Sequence, residues 1–413
     1  MTTPVVQPVI AMPRQASYDV VIVGGAVTGS SIASFLGNNP DFDGSVLVVE
    51  RDPGYEYSST GRTNSCMRQQ FSNRVNIEIS QFAADYVRNF RAYLGDDPEV
   101  PDLAVDHFGY MYLADNVDFA NTLRDNVAVQ QSMGAGTKVM SPAEIAGDYP
   151  FYNLSDIVCG SHNLVDEGYF DGGTMFDWMR RSARANGVEY ITNEVTAVAV
   201  ADPGTSKASV THVELASGEK ITCGTLINAA GPRAVLVAEM AGLHLPVEPR
   251  RRYTFIFQAA EPLERSLPLT IDPSGVHVRT DAGAYMAGCT PDHDPAVDYD
   301  DLDWVDRDIW EEKVWPALAN RIPAFERVKV TSKWSGHYAH NTVDQNVIIG
   351  PHHEVKNFIF TNGFSGHGLQ QSPAIGRGAA ELVTYGEYRT IDLSPLGYER
   401  IVAARPFVET AII

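Results

Sequence analysis

Residues 19–29 read DVVIVGGAVTG, and this run constrains the fold more than any other part of the chain. After Asp19 the stretch to Val23 is continuously apolar, as a parallel strand buried on both faces requires. It runs straight into Gly24, Gly25, Ala26, Val27, Thr28 and Gly29. A helix carrying Ile32, Ala33, Phe35 and Leu36 follows, and then a second strand, Val46 to Val49, which ends at Glu50. Such a βαβ unit sets a pyrophosphate at the start of its first helix and lets the acid closing its second strand accept hydrogen bonds from a ribose. Ala26 stands at the second glycine position, where its methyl narrows the approach of backbone to pyrophosphate without closing it. The unit predicts dinucleotide binding.

A second glycine-punctuated turn lies near the other end of the chain. Phe358, Ile359 and Phe360 read as a short apolar strand, and Gly363, Gly366 and Gly368 surround His367. A helix is expected to open at Gln370–Pro373, with Ser372 and Pro373 in its first turn and Ile375, Ala379, Leu382 and Val383 at helical spacing. Loop glycines let backbone approach a ligand, and the amides that open a helix favour negative charge. The N1 and C2-carbonyl edge of a reduced flavin carries such a charge.

Between these ends, 188–200 and 225–229 read as strand, the latter running into Ala229, Ala230, Gly231 and Pro232. Segments 105–115 and 252–259 look like antiparallel strands, and 300–315 like an acidic helical excursion. One dinucleotide domain assembled from 18–92, 155–238 and 335–400 is therefore expected, interrupted by a sheet-rich domain at 93–154 and 239–334. Residues 1–17, with Pro4, Pro8 and Pro13, read as a loose tail and not as a signal peptide.

Fifty-two acidic against 31 basic residues leave a net charge of −21, which argues against nucleic acid or an anionic membrane as partner. No apolar run approaches the roughly 20 residues needed to span a bilayer. Cys66, Cys159, Cys223 and Cys289 are scattered, so neither a disulfide framework nor a zinc site is indicated, and a reducing cytoplasm fits. No metal is expected. His352, His353 and Glu354 resemble ligands by type, but adjacent histidines point apart. Asp292, Asp294, Asp298, Asp300 and Asp301 lack the spacing of a calcium loop and read as a solvated acidic loop. Nothing here sets the oligomeric state.

Taken together, the GGAVTG start with Glu50, SSTGRTNSCMRQQFS at 58–72, INAAGPRA at 227–234, and HYAHNTVDQNVIIGP followed by TNGFSGHGLQQSPAIGR at 337–377 resemble the D-amino-acid oxidase superfamily of FAD enzymes. The sarcosine oxidase and dimethylglycine dehydrogenase branch is most similar. The resemblance implies an α/β (α+β overall) fold, a Rossmann-like FAD-binding domain with an interleaved antiparallel-sheet substrate domain. It also implies oxidation of the C–N bond of a small secondary or N-substituted amino acid, such as sarcosine, iminodiacetate or an N-methyl amino acid. Hydride passes to flavin N5, water hydrolyses the imine, and dioxygen or an electron carrier takes the electrons. Oxidation of a D-amino acid or a 2-hydroxy acid on the same fold, or a flavin-containing assembly factor without turnover, are the alternatives.

Carried over residue by residue, the resemblance places Gly24, Ala26, Val27, Thr28, Gly29, Glu50 and Arg51 on the ADP half of FAD, with Ser59 and Thr60 near the pyrophosphate, Val195 near the adenine, and Ala230 and Gly231 beside the dinucleotide. Gly366, His367, Gly368, Leu369 and Gln370 would face the pyrimidine edge of the flavin. Gly336 stands where monomeric sarcosine oxidase tethers its flavin through cysteine, so non-covalent FAD is expected; Cys66 and His337 are the other candidate links. Met286 and Thr290 stand where that enzyme has a lysine that activates dioxygen and a neighbouring histidine. Gln370 replaces a lysine that holds the substrate carboxylate. Arg68 then becomes the expected carboxylate clamp, with Arg279, on one strand face with His277, as a second. His337 and Tyr338 are expected close to the ring, and Arg250, Arg251 and Arg252 to form a solvated edge.

Overall fold

The computed structural model describes residues 10–302 and 308–410. Its strands run β1 (Ser17–Val23), β2 (Val46–Glu50), β3 (Cys66–Met67), β4 (Val105–Asp106), β5 (Tyr110–Ala114), β6 (Lys138–Met140) and β7 (Cys159–Asn163). There follow β8 (Gly168–Phe170), β9 (Glu189–Thr192), β10 (Val195–Ala201), β11 (Ser209–Leu215), β12 (Lys220–Asn228) and β13 (Val247–Ala259). The last are β14 (Leu269–Ile271), β15 (Val276–Asp281), β16 (Ala284–Cys289), β17 (Val328–Asn341), β18 (Ile348–Pro351) and β19 (Phe358–Asn362).

The first sheet has a parallel centre, β9-β2-β1-β12-β19, with β18 antiparallel on β19 and the β10–β11 hairpin antiparallel on β12. Val20, Val21, Ile22 and Val23 of β1 are all buried, because helices cover one face and a second apolar cluster the other. The first helix, Val27–Gly37, crosses the late helix, Gly368–Tyr385, at very close range: a Cβ on Gly376 would lie 2.1 Å from Ser31 Oγ. The two glycine turns are thus brought side by side at the carboxyl ends of β1 and β19. In open α/β sheets ligands bind at that edge.

The second sheet, β17-β13-β16-β15-β14-β5-β7-β6, is antiparallel except for the β14–β5 pair. β13 and β17 pair along their lengths, from Val247 opposite Asn341 to Ala259 opposite Val328. Phe255, Phe257, Tyr285 and Phe325 form an aromatic core beneath it. A small third sheet, β3-β8-β4, links the two.

Four expectations need correction. The 188–200 strand is two strands, β9 and β10, broken at Asn193 and Glu194, because β9 pairs with β2 while β10 turns away to β11. β7 lies past the boundary expected at residue 155 yet pairs with β5 and β6, so the second sheet extends to residue 163. Residues 10–17 are not loose: Ala11 N–H donates to Thr192 O at 2.9 Å, Arg14 N–H to Glu189 Oε1 at 2.8 Å, and Ser17 already belongs to β1. Residues 1–9 lie outside the described residues. The acidic excursion is helical only from about Trp310, with 300–302 in irregular chain and 303–307 outside the described residues. Among the described residues no helix is long and apolar enough to cross a membrane.

Candidate active site

One long cleft runs along the carboxyl edge of the first sheet and on beneath the second. Its floor begins at Gly24, whose φ of +98° and close approach to Ala229 O suit glycine alone. Gly24 N–H donates to Val49 O at 2.9 Å, so the turn is tied to β2 as well. The first helical bond runs from Ser30 N–H to Ala26 O, which leaves the Thr28 and Gly29 amides ahead of it. Gly29 itself is behind the cleft surface, where a Cβ would fall 1.9 Å from Gly24 O. Thr60 Oγ1 accepts from Val27 N–H at 3.3 Å, and Ser59 Oγ donates to His337 O at 2.6 Å. Glu50 accepts from Gly25 N–H and Asp52 N–H, one on each oxygen at 2.7 Å, and keeps further lone pairs toward the cleft. Arg51, Val195, Ala230 and Gly231 line the same stretch.

At the other end, Gly363, Ser365 and Gly366 have positive φ. Gly366 is required by packing, since a Cβ there would lie 2.5 Å from the Tyr338 ring. The late helix opens at Gly368, two residues before the sequence suggests, which puts Pro373 inside it. The missing proline N–H leaves Leu369 O without its helical donor, and Ser372 Oγ supplies one at 2.9 Å. The shift matters for binding: Gly368, Leu369 and Gln370 now hold the first-turn amides, ahead of the bond from Gln371 N–H to His367 O.

Between these ends, Arg68 is 2% exposed and lines the cleft. Its guanidinium donates to Gln70 O and, at 2.8 Å, to His367 Nε2, and packs over the Phe71 ring at 4.0 Å. Arginine only donates, so His367 Nε2 accepts and the imidazole is neutral with its proton on Nδ1. Burial, and then the Arg68 charge, push the His367 pKa well down, in agreement. Arg68 N–H donates to Gln370 Oε1 at 2.8 Å, which fixes that amide with Nε2 as its free end; Nε2 is buried and has no partner. A buried donor with nothing to donate to marks a place for an acceptor. His277 is neutral too, its pKa lowered to about 4 by burial and then by Arg279 and Arg252. Burial raises the Tyr338 pKa, so its phenol is protonated.

Arg279 is not in the cleft lining. Its NH1 is held by Asp281 Oδ1 at 2.7 Å and Thr280 O at 2.8 Å, and its NH2 by Asn64 O at 3.1 Å. A guanidinium neutralised by its own hairpin is no second clamp. His337 touches the cleft, but its Nε2–H goes to Asp301 O at 2.6 Å, so the ring braces a neighbouring segment.

That segment, 292–302, was expected to be a solvated loop, and the arginines opposite it a solvated edge. The arginines face inward and Asp294 turns in to meet them, while Asp292, Asp298 and Asp300 are exposed, as the sequence leads one to expect. Arg252 pairs bidentately with Asp294 at 2.7 and 2.9 Å and lies 4.8 Å from the Tyr338 ring; Arg251 pairs with Asp301 at 2.5 Å. Asp300 bridges Arg51, at 3.6 Å, and Arg233. Alternation along β13 puts Arg250 and Arg252 on the face of Tyr338 and Arg251 on the face of His337. That period is legible in PRRRY, but the acids that answer it come from a loop without periodicity. Thr290 lines the cleft, whereas Met286 does not.

A family model described as DAO, FAD dependent oxidoreductase, matches residues 19–382. The chain belongs to that family. The FAD-dependent oxidoreductase domain-containing protein 1 of Bos taurus is 38% identical to this DAO-family chain over 440 residues, covering 97% of this chain and 88% of that one. The mitochondrial sarcosine dehydrogenase of Mus musculus is 24% identical over 91% of this chain and 40% of its own length. Among solved structures, the L-proline dehydrogenase of P. horikoshii superposes with a TM-score of 0.81 at 24% identity, covering 96% of this chain and all of that one. The DAO family is FAD-dependent and its members are amine and amino-acid oxidoreductases, which makes this chain a flavin enzyme. The cleft fits the cofactor: a glycine cradle that a Cβ would fill at one end, and the first-turn amides of the late helix at the other.

Proposed function

We propose that this chain oxidises the C–N bond of a small amino acid whose nitrogen carries a substituent, of the sarcosine, iminodiacetate or N-methyl amino acid type. The single observation that carries the reading is that the cleft wall holds both the buried Arg68 guanidinium and the unpartnered Gln370 Nε2, whose amide is fixed by the Arg68 main-chain N–H. A charged donor and a neutral one on the wall of the same cleft suit a carboxylate, with the guanidinium supplying the charge. The acids that line the cleft, Glu50, Asp52 and Glu194, belong to the β2 and β10 end, away from Arg68. Beside Arg68 stand neutral His367 and, across the cleft, protonated Tyr338, and among the described residues that line the cleft no carboxylate lies at this end. An amine bound against Arg68 is favoured in its neutral form, the form that can give up hydride.

FAD, held without a covalent link by the 24–29 turn, Glu50, Thr60 and the 366–370 turn, supplies the hydride acceptor. The segments of the first sheet form its domain, and the second sheet forms the substrate domain. The residues of the chain act by position: Arg68 and Gln370 fix the carboxylate, Tyr338 packs against Gly366, and Tyr299 closes part of the cleft wall.

Anaerobic mixing of the yellow protein with sarcosine, iminodiacetate, N-methyl amino acids, D-amino acids and 2-hydroxy acids tests the reading. Flavin absorbance should bleach with the N-substituted amino acids; bleaching only with primary D-amino acids or hydroxy acids, or with none, rejects it. Dioxygen uptake against dye reduction then identifies the electron acceptor. Gln370→Glu keeps an acceptor for Arg68 N–H but replaces the donor with a charge. It should raise KM for the preferred amine by at least about tenfold, the loss of one hydrogen bond to a charged group, at unchanged flavin content. An unchanged KM would remove Gln370 from the site.

A further inference from the structure

The register of the small sheet pairs Cys66 with Tyr169 and Met67 with Gly168, so one step further along the two strands Arg68 comes opposite Glu167. Glu167 is completely buried and is not part of the cleft wall. Its backbone is held on both sides: Gly109 N–H donates to Glu167 O at 3.1 Å, and Gly168, with φ of +143°, has no room for a Cβ against Asp106 O. Its carboxylate does not reach for the arginine side chain. Oε1 accepts from Gln69 N–H at 2.7 Å and Gln70 N–H at 3.1 Å, and Oε2 from Gln70 Nε2 at 2.9 Å.

Those bonds define where Gln70 sits. Its side chain is pinned further by Ser161 Oγ donating to Oε1 at 2.5 Å and by Nε2 reaching Tyr110 O at 3.3 Å. The carbonyl of the same residue accepts from Arg68 NH1. A carboxylate thus holds two backbone amides and the Gln70 side chain, and the Gln70 residue so fixed presents the carbonyl of the next peptide to the guanidinium. Burial pushes the Glu167 carboxyl up to about 7, opposed by its bonds from Gln70, Asn163 and Gln69 and by the Arg68 charge. Enclosing an acid so completely is costly unless its hydrogen bonds are all made, and here they converge on the chain beside Arg68.

We propose that Glu167 is a positioning residue that aims the Arg68 guanidinium at the substrate carboxylate through the Gln69–Gln70 backbone. The proposal rests on the reading of Arg68 as the carboxylate clamp. In Glu167→Gln the new amide nitrogen would meet Gln70 Nε2, donor against donor. A flip of Gln70 that relieved this would set its carbonyl oxygen against Tyr110 O and lose that bond, with the Ser161 hydroxyl turning from donor to acceptor.

The test uses the flavin-loaded protein and propionate, a carboxylate that cannot be oxidised at a C–N bond, with its Kd read from the perturbation of flavin absorbance. Glu167→Gln should raise that Kd about tenfold, with flavin content and kcat for the best amine changed by less than about twofold. In an Arg68→Ala background the same substitution should add less than about twofold, because the two residues act as one unit. Should Glu167→Gln fail to fold, Glu167→Asp, which keeps the charge but shortens the reach, should weaken propionate severalfold. A tenfold effect that persists in Arg68→Ala assigns Glu167 a general structural role and overturns the proposal, as does an unchanged Kd in Glu167→Gln or Glu167→Asp. If Arg68→Ala itself leaves the Kd unchanged, the clamp reading falls and takes this proposal with it. If Arg68→Ala weakens propionate and Glu167→Gln does not, only the proposal falls.

Discussion

Gly29→Ala is expected to yield a protein largely without flavin. The added Cβ would stand 1.9 Å from Gly24 O and 3.3 Å from the Ile22 side chain, and neither neighbour can give way. Gly24 is bonded to Val49 O and already abuts Ala229 O, while Ile22 is a fully buried residue of β1. The first helix must therefore lift off the strand, and the Thr28 and Gly29 amides move with it. Overpacking of this kind costs roughly 1–3 kcal/mol, and displaced amides lose an anion that depends on their aim. Flavin affinity should fall by about tenfold to a hundredfold, measured as flavin per polypeptide after gel filtration and as Kd on reconstitution. Ala26→Gly, which opens the second glycine position, is the companion: it should bind flavin at least as well as the parent. Full flavin content in Gly29→Ala at an unchanged unfolding midpoint would refute this account of the turn.

The second large effect belongs to stability. Asp344, in the NTVDQN segment between β17 and β18, is fully buried with Arg400: Nε donates to Oδ2 at 2.6 Å and NH2 to Oδ1 at 3.0 Å. The same carboxylate accepts from Asn341 Nδ2 and Phe407 N–H, and Arg400 also reaches the carbonyls of Leu396, Asn346 and Val347. This knot ties the strand that carries Tyr338 to the C-terminal segment. Asp344→Ala leaves a buried guanidinium without its charge partner and should cost about 3–5 kcal/mol, read as a lower urea midpoint. Replacing both partners, Asp344→Leu with Arg400→Met, should recover part of the loss, because no charge is then left unpaired. A loss under about 1 kcal/mol in Asp344→Ala would show that the pair is dispensable. Flavin should be lost in parallel, since Asn341 N–H donates to Ser365 Oγ in the turn that opens onto the late helix.

Much of the local structure that lines the cleft is legible in the sequence. The 24–29 turn, Glu50 and the 363–370 turn are coded locally, by glycine where backbone conformation demands it and by apolar runs where both strand faces are covered. The late helix was misplaced by two residues for an equally local reason: Pro373 reads as a first-turn residue, and only the Ser372 hydroxyl on Leu369 O lets the helix begin earlier. The arginines were harder. Arg279 looked like a clamp by strand face, yet Asp281, two residues on, claims it. Arg252 looked like a solvated edge, yet Asp294 draws it inward, and nothing in the acidic run singles out that residue.

The sequence by itself determined the family, the two glycine turns and the identity of the buried arginine beside them. Tertiary structure alone decided which charges face the cleft and which are spent on each other, and it revealed Glu167 behind Arg68. The reason is one of range. Backbone conformation and burial are written in steps of two to four residues. The partner of a side chain depends on the register between strands that lie about a hundred residues or more apart, as Met67 and Gly168 do, and no local pattern carries that register.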